Sequence, residues 1–551
     1  MTLRREPTAS KGGAVTDTTT AAEPDPRLIH LARGTMVSYW SGEVPDRLAV
    51  VSDHGNRTFG ELNARANQLV RALRRRGVEP GGALALMCRN RPEFAEVWAA
   101  CSRGGYRLTP INWHLTGEEA GYIIDDCEAQ VIVADARHGP SAAGAARHAP
   151  GATVRLAIGG DIEGYESYED ALSAEDDANI DDPVPGGQML YTSGTTGRPK
   201  GVTRDMASLA AAPTPAAASA TVASTRLAAV NSYVPGDDMH LCTGPLYHAA
   251  PLAFSLSLPL ASGVGIVLMD DWDAQETLRL IEEHNITHTH MVPTMFVRLL
   301  KLPDDVRDRH DLTSLRNILH GAAPCPPNVK QSLIDWLGPI VYEYYAATEG
   351  AGTVVGPDDW LDHPGTVGLV DPPEHIKIGD DDGNELPRGE VGLVYIRAPD
   401  AGRFQYFKDA DKTSSAYRGN YFTLGDVGFI DDDNYLFLTD RSANLIISGG
   451  VNIYPAEVDA VLLEHAAVRD AATIGVPDAE WGEAVKAVVE LQHGVAPSPE
   501  LAQELMEFTR DRLAHYKCPR TVDFVDALPR EDTGKIFKRK LRDQYRAAAA
   551  P

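Results

Sequence analysis

The 551-residue sequence predicts an α/β protein: a large N-terminal domain of mainly parallel sheets with flanking helices, followed by a small C-terminal α+β domain. Three observations predict it. From about residue 28 to 430, apolar runs of strand length alternate with helical patterns, the signature of βαβ units. Near Thr439–Asn444 this alternation gives way to a compact unit with its own helices and strands. The composition is 43% hydrophobic and 23% charged, which excludes disordered, fibrous and collagenous classes.

Taken in order, residues 1–26 are polar, lack the apolar segment of a secretory signal, and read as a flexible tail. The runs starting at Leu48 (LAVVSDHG), Ala83 (ALALMCRN) and Ala129 (AQVIVADA) read as strands. Glu61–Gly77 reads as an amphipathic helix, with Leu62, Ala66, Leu69 and Leu73 on one face and Gly77 as its stop. Leu209–Val230, rich in Ala and Thr, is equally compatible with low complexity and with a packed helix. Ala249–Met269 carries no charge over 21 residues, the length a bilayer requires. Pro251, Pro259, Gly263 and Gly265 divide it into a short helix and a buried strand, and no Lys/Arg flank orients it, so it reads as core and not as a membrane span. In the C-terminal unit a helix is expected around Pro455–His465, strands near Ala471–Val476 and Val485–Leu491, and a helix near Pro499–Ala514.

The 78 acidic and 51 basic residues give a net charge of −27, which argues against a nucleic-acid partner and requires any polyanionic ligand to be held locally. Residues 511–551 invert the balance, with ten Lys/Arg against six Asp/Glu. Six cysteines (Cys88, Cys101, Cys127, Cys242, Cys325, Cys518) form no CxxC pair, which argues against a zinc ribbon or disulfide framework and for a reducing cytoplasm.

The most informative string is Tyr191-Thr-Ser-Gly-Thr-Thr-Gly-Arg-Pro-Lys-Gly-Val202, a strand running into a loop of small residues. Such a loop presents backbone N–H groups and the hydroxyls of Thr192, Ser193, Thr195 and Thr196 to one anion, around Gly194 and Gly197, while Lys200 adds a full charge. A Walker loop would need Gly-Lys-Ser/Thr in succession, and here Arg198 and Pro199 precede the lysine. The string instead resembles the phosphate loop of the adenylate-forming superfamily, which comprises acyl-CoA synthetases, luciferases and peptide-synthetase adenylation domains. Free-standing actinobacterial acyl-CoA synthetases are the nearest likeness.

Further motifs of that family follow in order over nearly the whole chain. PLYHAAP (Pro245–Pro251) is similar to the motif that lines the acyl site with Tyr247 and His248. HGAAP (His320–Pro324) resembles the adenine-edge loop, with Gly321, Ala322 and Ala323 at the nucleotide and Gly321 also at the acyl group. In YYAATEG (Tyr344–Gly350) the resemblance implies that Tyr345 stacks on adenine, Ala346 borders the acyl site, Thr348 holds phosphate and Glu349 ligates magnesium. It further implies that Asp426 and Arg441 bind ribose, that Ala443 sits in a hinge, that Gly449 and Gly450 pass the pantetheine arm of CoA, and that Lys535 is the catalytic lysine. The implied organisation is a tail (1–26), a large domain (27–440), a hinge (441–444) and a small mobile domain (445–551).

The implied reaction is the joining of a carboxylic acid to CoA through an acyl-AMP, with ATP, Mg2+ and coenzyme A as cofactors. PLYHAAPLAF offers no aspartate for a substrate amine, and small residues crowd the presumed acyl site, so a fatty or bulky polycyclic acid of steroid or terpenoid type is expected. Three motifs depart from the family pattern: Ala346 replaces a usual glycine, Ala443 a usual Asp or Lys, and the pair Arg204-Asp205 a common Ser-His. Two alternatives therefore stand: a ligase that performs only thioesterification on an adenylate supplied by a partner enzyme, and a non-catalytic nucleotide or acyl-CoA binding relative. A homodimer is compatible with all three.

Overall fold

The computed structural model describes residues 25–192, 199–204, 230, 232–441, 444–448, 451–478, 481–530 and 536–549. Two mainly parallel sheets form its first part. In the six-stranded sheet every pairing is parallel, with Ala83–Met87 between Arg107–Pro110 and Ala129–Asp135. In the eight-stranded sheet, Met239–Cys242, Gly265–Leu268, His288–Met291, Asn317–His320 and Val341–Ala346 are joined in parallel, while Ala351–Val355 and Arg57–Thr58 are antiparallel edges. Ala83–Met87, Gly265–Leu268 and Asn317–His320 are buried at every residue, as strands covered by helices on both faces must be.

The helix Phe59–Arg75 begins two residues before the expected start because Thr58 and Glu61 close a capping box over its first turn. Leu62, Ala66, Leu69 and Leu73 are all buried, and Gly77 takes φ +79° just after the helix end. The uncharged Ala249–Met269 stretch folds as Pro251–Ser257 and Leu258–Ala261, both helical, and then as the strand Gly265–Leu268 paired on both sides. Among the described residues, no helix is long and apolar enough to cross a membrane. Residues 1–24, and all of Leu209–Val230 except Val230, lie outside the described residues.

The βαβ alternation ends earlier than the sequence reading has it. Between Gly368 and Arg441 the chain forms a seven-stranded sheet whose pairings are all antiparallel. The reason is local: its connections include tight turns too short for a crossover helix. At Asp431–Tyr435 the Asp431 carboxylate accepts the N–H groups of Asp433 and Tyr435 while Asn434 takes φ +70°, and this turns the strand back on itself.

A five-stranded sheet follows, built from Ile446–Ser448, Val451–Ile453, Val468–Asp478, Gly482–Leu491 and Thr521–Val525, with helices Pro455–Glu464 and Pro499–Arg510. Its two long strands extend beyond the apolar runs because they pair from Val468↔Leu491 to Asp478↔Gly482 as one hairpin. The helix from Pro499 stops at Arg510, four residues short of the expected end. This unit touches the first part where the Lys301 ammonium donates to the Val468 carbonyl and where Asn328 donates to Glu464.

Candidate active site

Asn317–His320 and Val341–Ala346 run parallel, with His320 opposite Glu343. Their C-terminal ends therefore open side by side, one into Gly321–Ala323 and the other into the Tyr345–Gly350 turn. In open α/β sheets this carboxyl edge is where ligands bind. Gly321 is required there: a Cβ would fall 2.6 Å from the Tyr344 ring and 2.7 Å from the Tyr344 carbonyl oxygen. Ala322 is exposed and takes φ +69°, a left-handed conformation costly for a residue with a side chain and concentrated at functional sites.

Tyr345 and Asp426 come from different sheets and meet here. The Tyr345 hydroxyl donates to Asp426 Oδ2 at 2.7 Å. Asp426 opens the strand Asp426–Ile430, is buried, and lies opposite Arg441 in the antiparallel register. The expected adenine-stacking ring and the expected ribose carboxylate are thus brought together, with the Arg441 backbone beside them.

Glu349 is buried, and its Oε1 accepts the Tyr406 hydroxyl at 2.9 Å. Burial, reinforced by the Glu349 charge, pushes the Tyr406 phenol up, so it remains a donor. The Arg204 guanidinium donates to the carbonyl oxygens of Glu349 (2.8 Å) and Thr348 (3.1 Å). Arg204 and Tyr406 are placed by one small antiparallel sheet, in which Lys200–Arg204 pairs with Phe404–Tyr406. Neither is among the residues expected from sequence. Arg204 stood out there only as a departure, and Tyr406 carried no signal, since the pairing that delivers it spans about 200 residues.

Thr192 pairs with Lys200 across antiparallel strands. Lys200 therefore lies on a strand and not at a helix start, which separates this loop from the Walker arrangement. Its ammonium is 3.1 Å from Asp409 Oδ2, a contact that raises its pKa. Ser193, Gly194, Thr195, Thr196 and Gly197 lie outside the described residues, as do Ala443, Gly449, Gly450 and Lys535, and so does the Arg441 side chain.

The opposite face of Val341–Ala346 is apolar. Tyr344 packs on Leu319, and around it stand the partly buried Val230, Ala250, Phe254, Tyr342, Ala346 and Val354. The Tyr344 hydroxyl pairs with His290 Nε2 at 3.0 Å, and burial lowers His290 to about 4, so the imidazole is neutral. Tyr247 and His248 lie at the entry to the Pro251 helix with their rings 4.4 Å apart. A cleft of about 320 Å³ adjoins this region, bounded by Thr243, Pro245, Thr294 and Met295, by Asp270 and Asp271, and by Arg298 and Arg530, the last paired with Asp470.

Among the described residues no group of three or more His, Cys, Asp or Glu side chains gathers as a metal site. Magnesium leans on phosphate oxygens and water and asks the protein for only one or two carboxylates. Glu349 fits that demand, because the Tyr406 hydroxyl occupies one carboxylate oxygen and leaves the other.

The model of the AMP-binding enzyme family matches residues 38–404, and that of the AMP-binding enzyme C-terminal domain matches residues 457–535. The chain belongs to the AMP-binding enzyme family. It is 31% identical over 528 residues to the fatty acid–[acyl-carrier-protein] ligase ScoC of Streptomyces coeruleorubidus, covering 94% of this chain and 98% of that one. It is 32% identical over 518 residues to a feruloyl-CoA synthase of an Amycolatopsis species, covering 92% and 99%. The fold matches the crystal structure of the anthranilate CoA ligase AuaEII in complex with anthranoyl-AMP, with a TM-score of 0.82 at 26% identity over 94% of this chain and 98% of that one. This AMP-binding family ligase shares the fold class of those enzymes: a large domain of parallel sheets and helices plus a C-terminal domain.

Proposed function

We propose that the protein is an AMP-forming acyl-CoA ligase that carries out both half-reactions. In the first, a carboxylate oxygen attacks the α-phosphorus of ATP and pyrophosphate leaves; in the second, the CoA sulfur attacks the acyl carbon and AMP leaves. The observation that carries this reading is the 2.7 Å bond between Tyr345 and Asp426 beside the buried Glu349, at the carboxyl edge of the parallel sheet.

In this reading Tyr345 stacks on adenine between the Gly321–Ala323 loop and Asp426, and the Asp426 carboxylate binds ribose. Thr192–Gly197, Lys200 and Thr348 hold the phosphates. Glu349 holds magnesium, which supplies positive charge against the phosphate oxygens when bound. Lys535 stabilises the charge that develops on the oxygens around phosphorus during adenylation. The small domain, from residue 445, then turns about the 441–444 hinge, and Gly449 and Gly450 admit the pantetheine arm.

The acid is fatty or polycyclic. Apolar side chains, Ala250 and Ala346 among them, surround Tyr344, and the string PLYHAAPLAF offers no aspartate for a substrate amine. The deciding experiment separates the halves: acid plus MgATP in one assay, synthetic acyl-AMP plus CoA in the other. Product in both supports the proposal. Product only in the second would convert the reading to thioesterification of a supplied adenylate, and nucleotide binding without turnover in either would make the chain a binding relative.

A further inference from the structure

A buried charged network lies directly beneath the nucleotide edge and takes no part in the reaction described above. Lys330, with no solvent exposure, sets its ammonium 2.8 Å from Glu343 Oε2, and Glu343 is itself buried. His320 Nε2 is 3.5 Å from the same oxygen, and among the described residues neither ring nitrogen of this fully buried histidine has a hydrogen-bond partner. The Lys330 ammonium also sits 4.9 Å over the Trp360 ring. A buried ion pair carries a heavy desolvation cost, so hydrophobic residues in its place would serve stability as well or better. Its location gives it a different use.

His320 is the residue before Gly321, and Lys330 lies in the helix Pro327–Leu337 that ends the same loop. Glu343 precedes Tyr345 by two residues on one strand, so the two side chains share a face. The Lys330–Glu343 pair thus ties the helix that ends the 321–326 loop to the strand that bears Tyr345, and the buried His320 ring packs beside the same carboxylate at the loop's start. We infer that Lys330, Glu343 and His320 are positioning residues that fix the gap between the Gly321–Ala323 loop and Tyr345, and with it the affinity for the adenine nucleotide. The network keeps the two walls of the adenine slot at one spacing, which neither strand pairing nor the left-handed Ala322 does alone, because both leave the loop free to tilt at its far end. The inference rests on the nucleotide reading of this edge.

The test measures AMP binding by calorimetry, with no acid needed. Lys330→Met and Glu343→Gln each weaken AMP binding about tenfold or more, the size expected for a lost tie of about 1.4 kcal/mol. The double variant Lys330→Met/Glu343→Met removes the unpaired charge and keeps its melting temperature near that of the parent, yet still binds AMP at least about fivefold more weakly. Lys330→Arg restores the parent affinity, which a purely space-filling role for Lys330 would not produce. Parent-like AMP affinity in the folded double variant, or equal losses in Lys330→Arg and Lys330→Met, overturns the inference. Should the double variant fail to fold, Glu343→Asp replaces it, with the same loss expected and the same result overturning; failure of both to fold makes the network a folding element and also overturns it. Tyr345→Ala is the reference. Unchanged AMP binding in Tyr345→Ala retires the nucleotide reading itself, whereas loss there with parent-like network variants retires only the network.

Discussion

The two faces of the strand Val341–Ala346 are built by different rules. On one, Glu343 and Tyr345 are tied by polar contacts of fixed geometry: Lys330 to Glu343 at 2.8 Å and Tyr345 to Asp426 at 2.7 Å. On the other, Tyr342, Tyr344 and Ala346 meet Ala250, Phe254 and Val354 through apolar surface, with His290 to Tyr344 as the polar contact. Hydrogen bonds to charged groups demand one geometry and penalise any other, whereas apolar packing responds to volume. A face of the first kind suits a ligand that never changes. A face of the second kind suits ligands that vary in size and shape. The family relatives fit this division, since their names span fatty, feruloyl and anthraniloyl groups over a shared fold.

The largest expected effect belongs to Lys535, proposed above to act in adenylation alone. Lys535→Ala lowers adenylation by about 10² or more, the cost of one transition-state charge donor, and leaves thioesterification of a supplied acyl-AMP largely intact. Gly450→Leu does the reverse, because a side chain in the pantetheine path blocks CoA without touching ATP. Equal loss of both half-reactions in Lys535→Ala would show that the domains do not alternate and that the lysine is structural.

Next in size is the polar face itself. Asp426→Asn keeps the shape but replaces a charged acceptor, and Tyr345→Phe removes the donor. A bond to a charged group is worth about 1.5–3 kcal/mol, so each raises the KM for ATP roughly tenfold to a hundredfold. The KM for the acid stays within about twofold in both, because the acid meets the other face. Parallel rises in the two KM values would erase the distinction between the faces.

The polar face was more legible in the sequence than the apolar one. Tyr345, Glu349 and Asp426 occur in short strings that resemble motifs of the adenylate-forming superfamily, and the structure gathers Tyr345 with Asp426. Their supports were not legible. Tyr406 reaches Glu349 through a strand pairing made between residues some 200 apart, and Arg204 drew notice only as a mismatch. The parallel sheets were legible from buried apolar runs such as Ala83–Met87. The antiparallel sheet from Gly368 to Arg441 was not, since its many short strands joined by turns carry too little period to separate from a βαβ pattern. The apolar face draws on residues as far apart as Ala250, Phe254, Leu319, Tyr344 and Val354, and no single string encodes it.

Acid titration probes the apolar face from below. His288 and His290 are buried, and desolvation lowers both to about 4, against an ordinary value of 6.5. The folded protein therefore holds both rings neutral. Above pH 6.5 the unfolded chain is neutral there too, and stability is complete. As pH falls from 6.5 toward 4 the unfolded chain binds protons that the fold refuses, which costs about 1.4 kcal/mol per unit for each histidine. The melting temperature should fall through that window, and His290→Asn should flatten the fall. A melting temperature constant from pH 7 to 4.5 would mean that these rings are hydrated or paired.

The smallest expected effect tests whether the apolar face reads volume. Ala346 lies on the Tyr344 face with Ala250 and Phe254, so under the proposed function its methyl borders the acid and not the adenine slot. Ala346→Gly then opens the acyl site by one methyl group and Ala346→Val closes it by two. One methylene in an apolar pocket is worth about 1–3 kcal/mol of discrimination, so Ala346→Val lowers kcat/KM for the bulkiest accepted acid about tenfold and spares shorter ones. The KM for ATP should move less than about twofold in either variant, since Tyr345 and Asp426 are untouched. A larger shift in the ATP KM would place the Ala346 methyl against the nucleotide, and the departure at this position would then bear on adenylation. Steady-state kinetics over a series of acids of rising girth, with ATP titrated at each, separates the two outcomes, because only a volume-reading face makes the Ala346→Val penalty grow with the acid.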